Sequence, residues 1–501
     1  MLNNLNRRDI QIMGALFIIV VCLRLYFTLT TAHFAPDAYF HVRMVEHITE
    51  YSVPMTQDEL FAGGRTMLFS PFFHYLLAIL AWIVSLSMVL KIMPQLFIAV
   101  LPVIVYIIVR TITERYDAAL FGGIMASFIP IIYAELLFSV SPLTLAVPLV
   151  FFTLFIFVHI ERKLYDFQFV LLIAALSLLH PSAVFLIIGL LGYLVVSYLE
   201  GIKLENSEME LILFSTFLFL WIQFLIYKRA FLEHGIINFL QQNMPPEIAS
   251  GVFGLSFANA LISIGILPLI LGVFCMYSYL FRIKNKYVYL YVSLCFGVGM
   301  LVLLQLVQPA IGFIYLGVSL TILSGIAYAQ FLDYLKKTKF IPYERMIIGS
   351  IYIMLIVSML IPSLSYARDA QENTVQPPLY DALLWIRSNT PPESVILAPP
   401  EEGYLISSIA ERKIVADKMF ILVPDARKRV QDIDRMYSTQ FPIEAVNLFD
   451  KYDINYILFS TAALRRYGIT TIAYHNQDCI QQVFAEKDVK VYRSRCQLSV
   501  V

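Results

Sequence analysis

A helix that crosses a bilayer needs about 20 predominantly apolar residues. Stretches of that kind recur along the first 365 residues, at 12–31, 93–110, 118–134, 142–160, 167–180, 182–199, 208–227, 256–280, 287–306, 309–330 and 346–363. A further apolar stretch, "PFFHYLLAILAWIVSLSMVL", covers 71–90. The Lys/Arg clusters decide how it is read, because short cytoplasmic loops collect positive charge. With Arg7 and Arg8 in the cytoplasm and 71–90 not spanning, Arg110 and Arg115, Arg162 and Lys163, Lys203, the run 282–286 and the run 336–339 all fall inside. If 71–90 spans, every one of them flips outward. We therefore read 71–90 as an interfacial or re-entrant helix within a long first external loop, 32–92. Eleven spans remain, with further external loops at 135–141 and 228–255 and an external C-terminus.

Near residue 366 the pattern changes. Pro pairs, charges and short alternating runs replace the long apolar stretches. "SVILAP" and "INYILFS" read as buried strands, and "LYDALLWIRSNT" as an amphipathic helix that stops before Pro391. The expected organisation is a transmembrane domain over 1–365 and a soluble extracytoplasmic α/β domain over 366–501, the latter of about 135 residues, an ordinary domain size.

Composition agrees with this pattern. Of 501 residues, 59% are hydrophobic and 14% charged, where soluble domains carry about 25% charged. The formal net charge is zero, which leaves no bulk electrostatic attraction for nucleic acid. The first apolar run, preceded by Arg7 and Arg8 and lacking a small-x-small cleavage site, reads as a signal anchor. Five cysteines are too few for a disulfide scaffold. Cys22, Cys275 and Cys295 lie in apolar segments, while Cys479 and Cys496 lie in the tail, where an oxidising space would allow them to pair.

Titratable residues concentrate in "HFAPDAYFHVRMVEHITE", residues 33–50, at the exit of the first span. Asp37 there suits either an oxygen ligand for a divalent cation or a general base. It also stands where a helix N-cap would, before "AYFHVRMVEHI". His41 follows at i+4, on the same helical face. The apolar spans are nearly free of Asp, Glu, Lys and Arg, which argues against a transporter path. No Walker loop, dinucleotide fingerprint, H-E-x-x-H or C-x-x-C occurs.

An acidic residue just after the first span, followed by an aromatic pair, His and Arg, resembles the first acidic motif of oligosaccharyltransferase catalytic subunits. These are members of the glycosyltransferase C (GT-C) superfamily. The resemblance extends through "GGIMASFIPIIYAELLFSVSPLTLAVPLVFFTLFIF", "NFLQQNMPPEIASGVFG", "QPAIGFIYLGVSLTILSGIAYA" and "VILAPPEEGYLISSIAERKIVAD". It implies an α-helical polytopic GT-C-like fold of about 11 spans with an extracytoplasmic α/β domain. It also implies a membrane glycosyltransferase that moves a sugar or oligosaccharide from a polyprenyl (dolichyl-type) phosphate carrier to an acceptor protein or glycan.

Residue by residue, the resemblance makes Asp37 the catalytic and metal-binding carboxylate, with Mn or Mg as the cation. The second pair of metal carboxylates aligns with Ser139-Val140-Ser141, a poor set of ligands, which leaves Glu135 as the candidate substitute. The acceptor-contacting Glu of the fifth external loop aligns with Gln242, with Glu247 five residues on. The donor-phosphate Arg of a late span aligns with Gly312. Arg43 or Arg65 takes that role instead, since a guanidinium suits phosphate. The family's Trp-Trp-Asp-Tyr-Gly aligns with Pro399-Pro400-Glu401-Glu402-Gly403. Glu401 keeps the acidity, Gly403 and the following Tyr404 survive, and Asp417 closes the run. Two alternatives stand beside this reading. One is a metal-independent transferase using a monosaccharide-lipid donor, and the other is a non-catalytic paralogue that serves as a scaffold.

Overall fold

The computed structural model describes residues 6–159, 163–254, 256–475 and 480–495. Cys479 and Cys496 lie outside them, while Cys22, Cys275 and Cys295 are free thiols. The chain forms two compact units. One comprises Met1–Ala32, Ser70–Ile226 and Phe253–Gln371, and the other His33–Phe69, Tyr227–Val252 and Glu372–Val501.

The first unit is helical. Over the chain as a whole, among the described residues, eight helices are long and apolar enough to cross a membrane, among them Arg7–Thr30, Leu86–Thr113, Asn206–Ile236 and Pro309–Leu335; a bent pair, Pro246–Phe253 with Phe257–Ile264, would make nine. Leu143–Phe157, Asp166–Leu179 and Ile266–Phe281 are apolar but shorter. The protein is a multi-pass membrane protein, with eight or nine helices of spanning length among the described residues where the sequence reading counted eleven spans. The stretch 71–90 forms a helix of 10 residues, Phe72–Ala81, about half the length a span needs. The next helix begins at Leu86 and belongs to the crossing that follows.

One charge inside the spans escaped the sequence reading. Arg24, on the first helix, is buried. It donates from Nε to Gln95 Oε1 at 2.9 Å and from Nη2 to the Leu136 carbonyl at 2.8 Å. These two bonds, with the Tyr133 ring 5.2 Å from the guanidinium carbon, tie three segments together and give the buried cation the partners that such a position demands.

The second unit is built on a five-stranded sheet. Its strands follow a two-residue hairpin in the first loop, β1 (Gln57–Asp58) with β2 (Arg65–Thr66). They are β3 (Val395–Leu397), β4 (Lys413–Ile414), β5 (Ile454–Phe459), β6 (Ile480–Glu486) and β7 (Val489–Ser494), in the order β4-β3-β5-β7-β6. β3 pairs in parallel with β4 and β5, and the β7 and β6 pairings are antiparallel. Helix Pro377–Asn389 forms as expected, with Pro at its start and Ala382, Leu383 and Ile386 buried in the core.

The first loop is an integral part of this unit. Ala62 N–H donates to the Ile414 carbonyl at 2.8 Å, and Ile414 N–H donates to the Leu60 carbonyl at 2.9 Å. The loop thereby covers the edge of β4, which would otherwise expose unpaired backbone groups. Tyr39, Phe40 and Met44 of the helix Ala38–Tyr51 enter the same apolar core as Tyr404, Leu405 and Ile406.

Candidate functional site

Asp37 opens the helix Ala38–Tyr51 from the N-cap position, yet its side chain makes no capping hydrogen bond. The carboxylate is 62% exposed and faces Lys418, whose Nζ donates to both Oδ1 and Oδ2 at 2.8 Å. Lys418 was absent from the sequence reading. It lies 381 residues from Asp37, and nothing local marks it.

Beneath this pair lies a buried charge network. Arg65 donates from Nε and Nη2 to Asp58 Oδ2 at 3.2 and 2.9 Å. It reaches Asp417 Oδ1 from Nη1 at 2.6 Å and Oδ2 from Nη2 at 2.5 Å, and from Nη1 it also donates to the Met419 carbonyl at 3.1 Å. A guanidinium has five N–H donors, and these five contacts occupy them all. Arg65 and both carboxylates are 0–2% exposed. Arg43, on the helix behind Asp37, donates from Nη2 to the second oxygen of Asp58 at 2.7 Å. Burial alone would raise the Asp58 carboxyl, but Arg43 and Arg65 outweigh burial and hold it below the usual carboxylate range. Asp417, which closes the run singled out in the sequence, is thus a structural anchor. It anchors the segment that carries Lys418, and its Oδ1 also accepts from Met419 N–H at 2.9 Å.

Tyr404 sits above this network with its ring 5.4 Å from that of Phe40. Burial, and then the Asp417 carboxylate, push its phenol well above the ordinary range, with Asp37 adding to the same effect. A neutral phenol at pH 7 can donate as well as accept. Glu401 is held by Arg466 Nη1 at 2.7 Å. Glu402 is buried and accepts from Ser460 Oγ at 2.8 Å.

The fifth-loop candidates fall in the same unit. Gln242 is exposed in a turn with φ +57°. Glu247, in the first turn of Pro246–Phe253, accepts from Gln431 Nε2 at 2.9 Å and from Arg427 Nε at 3.3 Å. Burial slightly opposes ionisation there, but these donors leave the Glu247 carboxyl below its ordinary value.

The remaining candidates belong to the first unit. Glu135 is exposed on the short helix Pro130–Leu136. Ser141 accepts from Leu143 N–H at 3.2 Å and so starts the next helix. Gly312 packs so closely that an added Cβ would lie 2.2 Å from Val302 Cγ2.

The residues around Asp37 were weighed against a divalent cation, which asks for several free oxygen ligands. They do not fit one. An ammonium covers Asp37, and Asp58 and Asp417 are consumed by guanidinium groups. Among the described residues, no three of His, Cys, Asp and Glu come together as a metal site.

With this geometry in place, comparison with solved structures shows which folds the chain is similar to. The archaeal oligosaccharyltransferase AglB of Archaeoglobus fulgidus, in complex with an inhibitory peptide and a dolichol-phosphate, matches at 12% identity with a TM-score of 0.67. The match covers 90% of this chain and 69% of that one. An oligosaccharyltransferase of Archaeoglobus fulgidus in complex with Zn and sulfate matches at 14% identity with a TM-score of 0.63, covering 95% and 73%. ArnT from Cupriavidus metallidurans, bound to undecaprenyl phosphate, matches at 11% identity with a TM-score of 0.52, covering 96% and 97%. No family model matches the chain, and no curated protein matches it. At such identities the likeness is one of fold. The chain has the GT-C-like fold that its sequence resemblance implied.

Proposed function

We propose that this chain is an integral membrane glycosyltransferase that moves a sugar or oligosaccharide from a polyprenyl-phosphate-linked donor to an extracytoplasmic acceptor, in a reaction akin to protein glycosylation. In this reading the N-terminus is cytoplasmic, and the first loop, the fifth loop and the C-terminal domain face outward. The observation that carries it is Asp37. In a GT-C-like fold, at the position where the oligosaccharyltransferase motif puts its first acid, an exposed carboxylate heads a helix it does not cap.

The chemistry follows from charge. The acceptor's nucleophilic atom attacks the anomeric carbon and gives its proton to Asp37. The bond from that carbon to the phosphate oxygen breaks, and its electron pair leaves with the phosphate. Positive groups aimed at that developing charge lower the barrier. Lys418 and Arg43 are the cations of the site with exposed surface, at 31% and 13%. Arg65, with all five donors engaged, acts as the post that holds them. Gln242, Glu247, Glu401 and Tyr404 line the acceptor side in this proposal. Pro399 and Pro400 offer neither an indole N–H nor a large stacking face, so recognition of the acceptor uses contacts other than the family's paired tryptophans. The resemblance asks for Mn or Mg at Asp37, but no step here is routed through a cation, because the surrounding residues do not fit one.

The test is Asp37→Asn, assayed for glycan transfer in membranes with and without a chelator. Loss of a general base costs about 10²–10⁴-fold in rate, and a fall of that size is expected. Unchanged transfer sinks the proposal. The close packing of Gly312 on Val302, where the family carries a phosphate-binding Arg, favours a second reading as a non-catalytic scaffold. Wild-type membranes that transfer no glycan, although the chain is required for glycan assembly in the cell, would decide for it.

A further inference from the structure

The Asp37–Lys418 pair has a geometry that a surface ion pair does not need. The ammonium is centred on the carboxylate, at 2.8 Å from each oxygen, where an oxygen-ligated cation would sit. Its place is set from below. Lys418 follows Asp417, whose carboxylate is gripped by Arg65 and by the Met419 N–H. Arg65 in turn is fixed to Asp58, which also holds Arg43 behind the helix that Asp37 heads. Both partners of the ion pair are thus mounted on one charge-balanced frame, in which Arg65, Asp58 and Asp417 are buried and Arg43 is 13% exposed.

We propose that Lys418 is a built-in cation that stands opposite Asp37 in place of a divalent metal and meets the phosphate of the polyprenyl carrier. The inference rests on the transferase reading and deepens it by naming the donor group and what recognises it. A lysine carries three N–H donors and no acceptor. The contacts to the two Asp37 oxygens use at most two of them, which leaves a third to take a phosphate oxygen. A flexible four-carbon stem lets the charge move from the carboxylate toward the leaving group as that group gains charge. Release of Asp37 by the departing ammonium frees the carboxylate to accept the acceptor's proton, so one side-chain movement prepares both the base and the leaving-group stabiliser. A divalent cation approaching Asp37 would meet a like charge already seated there.

The experiment uses the full chain in detergent or lipid nanodiscs, with two probes: Mn²⁺ alone, and undecaprenyl phosphate without a sugar. Binding of each is measured for the wild type, Asp37→Asn, Lys418→Met and Lys418→Arg, with thermal melting to confirm that each variant is folded. We expect no Mn²⁺ uptake that depends on Asp37. Undecaprenyl phosphate binding should be insensitive to chelator, weakened at least tenfold in Lys418→Met and largely restored in Lys418→Arg. Mn²⁺ uptake by the wild type that disappears in Asp37→Asn overturns the proposal, as does lipid phosphate binding that Lys418→Met leaves unchanged. If wild type and variants alike ignore the lipid phosphate, the transferase reading fails along with the donor role of Lys418, and the Mn²⁺ arm still decides whether Asp37 takes a metal.

Discussion

Arg65 and Asp417 lie 352 residues apart in sequence and meet as a two-pronged ion pair, Nη1 to Oδ1 at 2.6 Å and Nη2 to Oδ2 at 2.5 Å. Asp58 completes the triad, and none of the three side chains is more than 2% exposed. Arg65→Met removes both guanidinium contacts of Asp417, leaving that buried carboxylate only the Met419 N–H, and leaves Asp58 to Arg43 and the Leu60 N–H. Breaking a buried pair from one side costs about 3–5 kcal/mol, so a large loss in melting temperature is expected. Arg65→Lys should recover only part of it, because an ammonium cannot span both carboxylates as a fork does. In the wild type, Asp58 titrates below its unfolded value, so its stabilisation is present above the unfolded pKa of about 4 and is lost as pH falls through the lower folded value. The variant removes one of the guanidinium groups that cause this depression. Its deficit against the wild type should therefore be smaller at about pH 5 than at about pH 8, because the charged form of Asp58 has lost part of its stabilisation.

Glu402 gives the opposite slope. Burial pushes its carboxyl up to about 7, with the Ser460 hydrogen bond opposing and Glu401 adding to the rise. The folded state keeps a proton that the unfolded state, with an ordinary pKa of about 4.3, has already lost. Stability contributed by this group is therefore full below about pH 4.3, falls as pH rises toward 7 and is flat above it, an effect of up to roughly 3 kcal/mol. Glu402→Gln keeps a neutral, hydrogen-bonding side chain of the same shape. It should melt close to the wild type at about pH 4 and higher than the wild type at about pH 8. Parallel melting curves for the two proteins across that range would show that Glu402 is already ionised in the folded state.

Much of the fold could be read from the sequence because its signals are local. Hydropathy marks a span without reference to any neighbour, and the runs that became β3 and β5 are apolar enough to announce a buried sheet. The Lys/Arg clusters argued for a non-spanning 71–90, and the structure divides that stretch between the short helix Phe72–Ala81 and the start of the long helix Leu86–Thr113. Of the proposed site, the sequence singled out only its first residue. Asp37 is marked by the unusual polar stretch that follows the first span, whereas Lys418 sits in "VADKMF" with no local feature to distinguish it. Arg43 and Arg65 read as available cations because their partner Asp58 looks like any loop aspartate, and Asp417 reaches Arg65 only through the fold. The addition of the first loop to the edge of β4 is made by backbone groups, which leave no side-chain signature.

Gly403 shows how a retained residue acquires a reason. Its φ of −56° is open to any residue, so freedom of the backbone is not what it supplies. An added Cβ would stand 2.5 Å from Asp417 Cβ, 2.6 Å from the Ala416 carbonyl and 2.9 Å from Asp417 Cα. Backbone cannot rotate aside as a side chain can. Gly403→Ala should therefore push the 416–418 segment away, at about 1–3 kcal/mol for overpacking, and move Lys418 off Asp37. The expected result is a folded protein with lowered melting temperature and lipid phosphate binding reduced as in Lys418→Met. Normal binding in Gly403→Ala would mean that the segment yields without disturbing the pair.

Gly312 makes the same argument inside the membrane unit. The helix Pro309–Leu335 runs against Lys286–Leu303, and at Gly312 an added Cβ would meet Val302 Cγ2 at 2.2 Å and Val298 Cγ1 at 3.7 Å. Small residues let membrane helices approach this closely. Valine has few rotamers with which to give way in a helix. Gly312→Ala should cost about 1–3 kcal/mol, read as a lower melting temperature of the detergent-solubilised chain. Gly312→Arg, which restores the residue type of the aligned family position, should prevent stable accumulation in the membrane. Pairing each variant with Val302→Ala separates packing from any lost function, because the smaller neighbour opens the space that the added atoms need. Recovery of Gly312→Ala by Val302→Ala is the expected outcome. Failure of that rescue would place the constraint on Gly312 somewhere other than this contact.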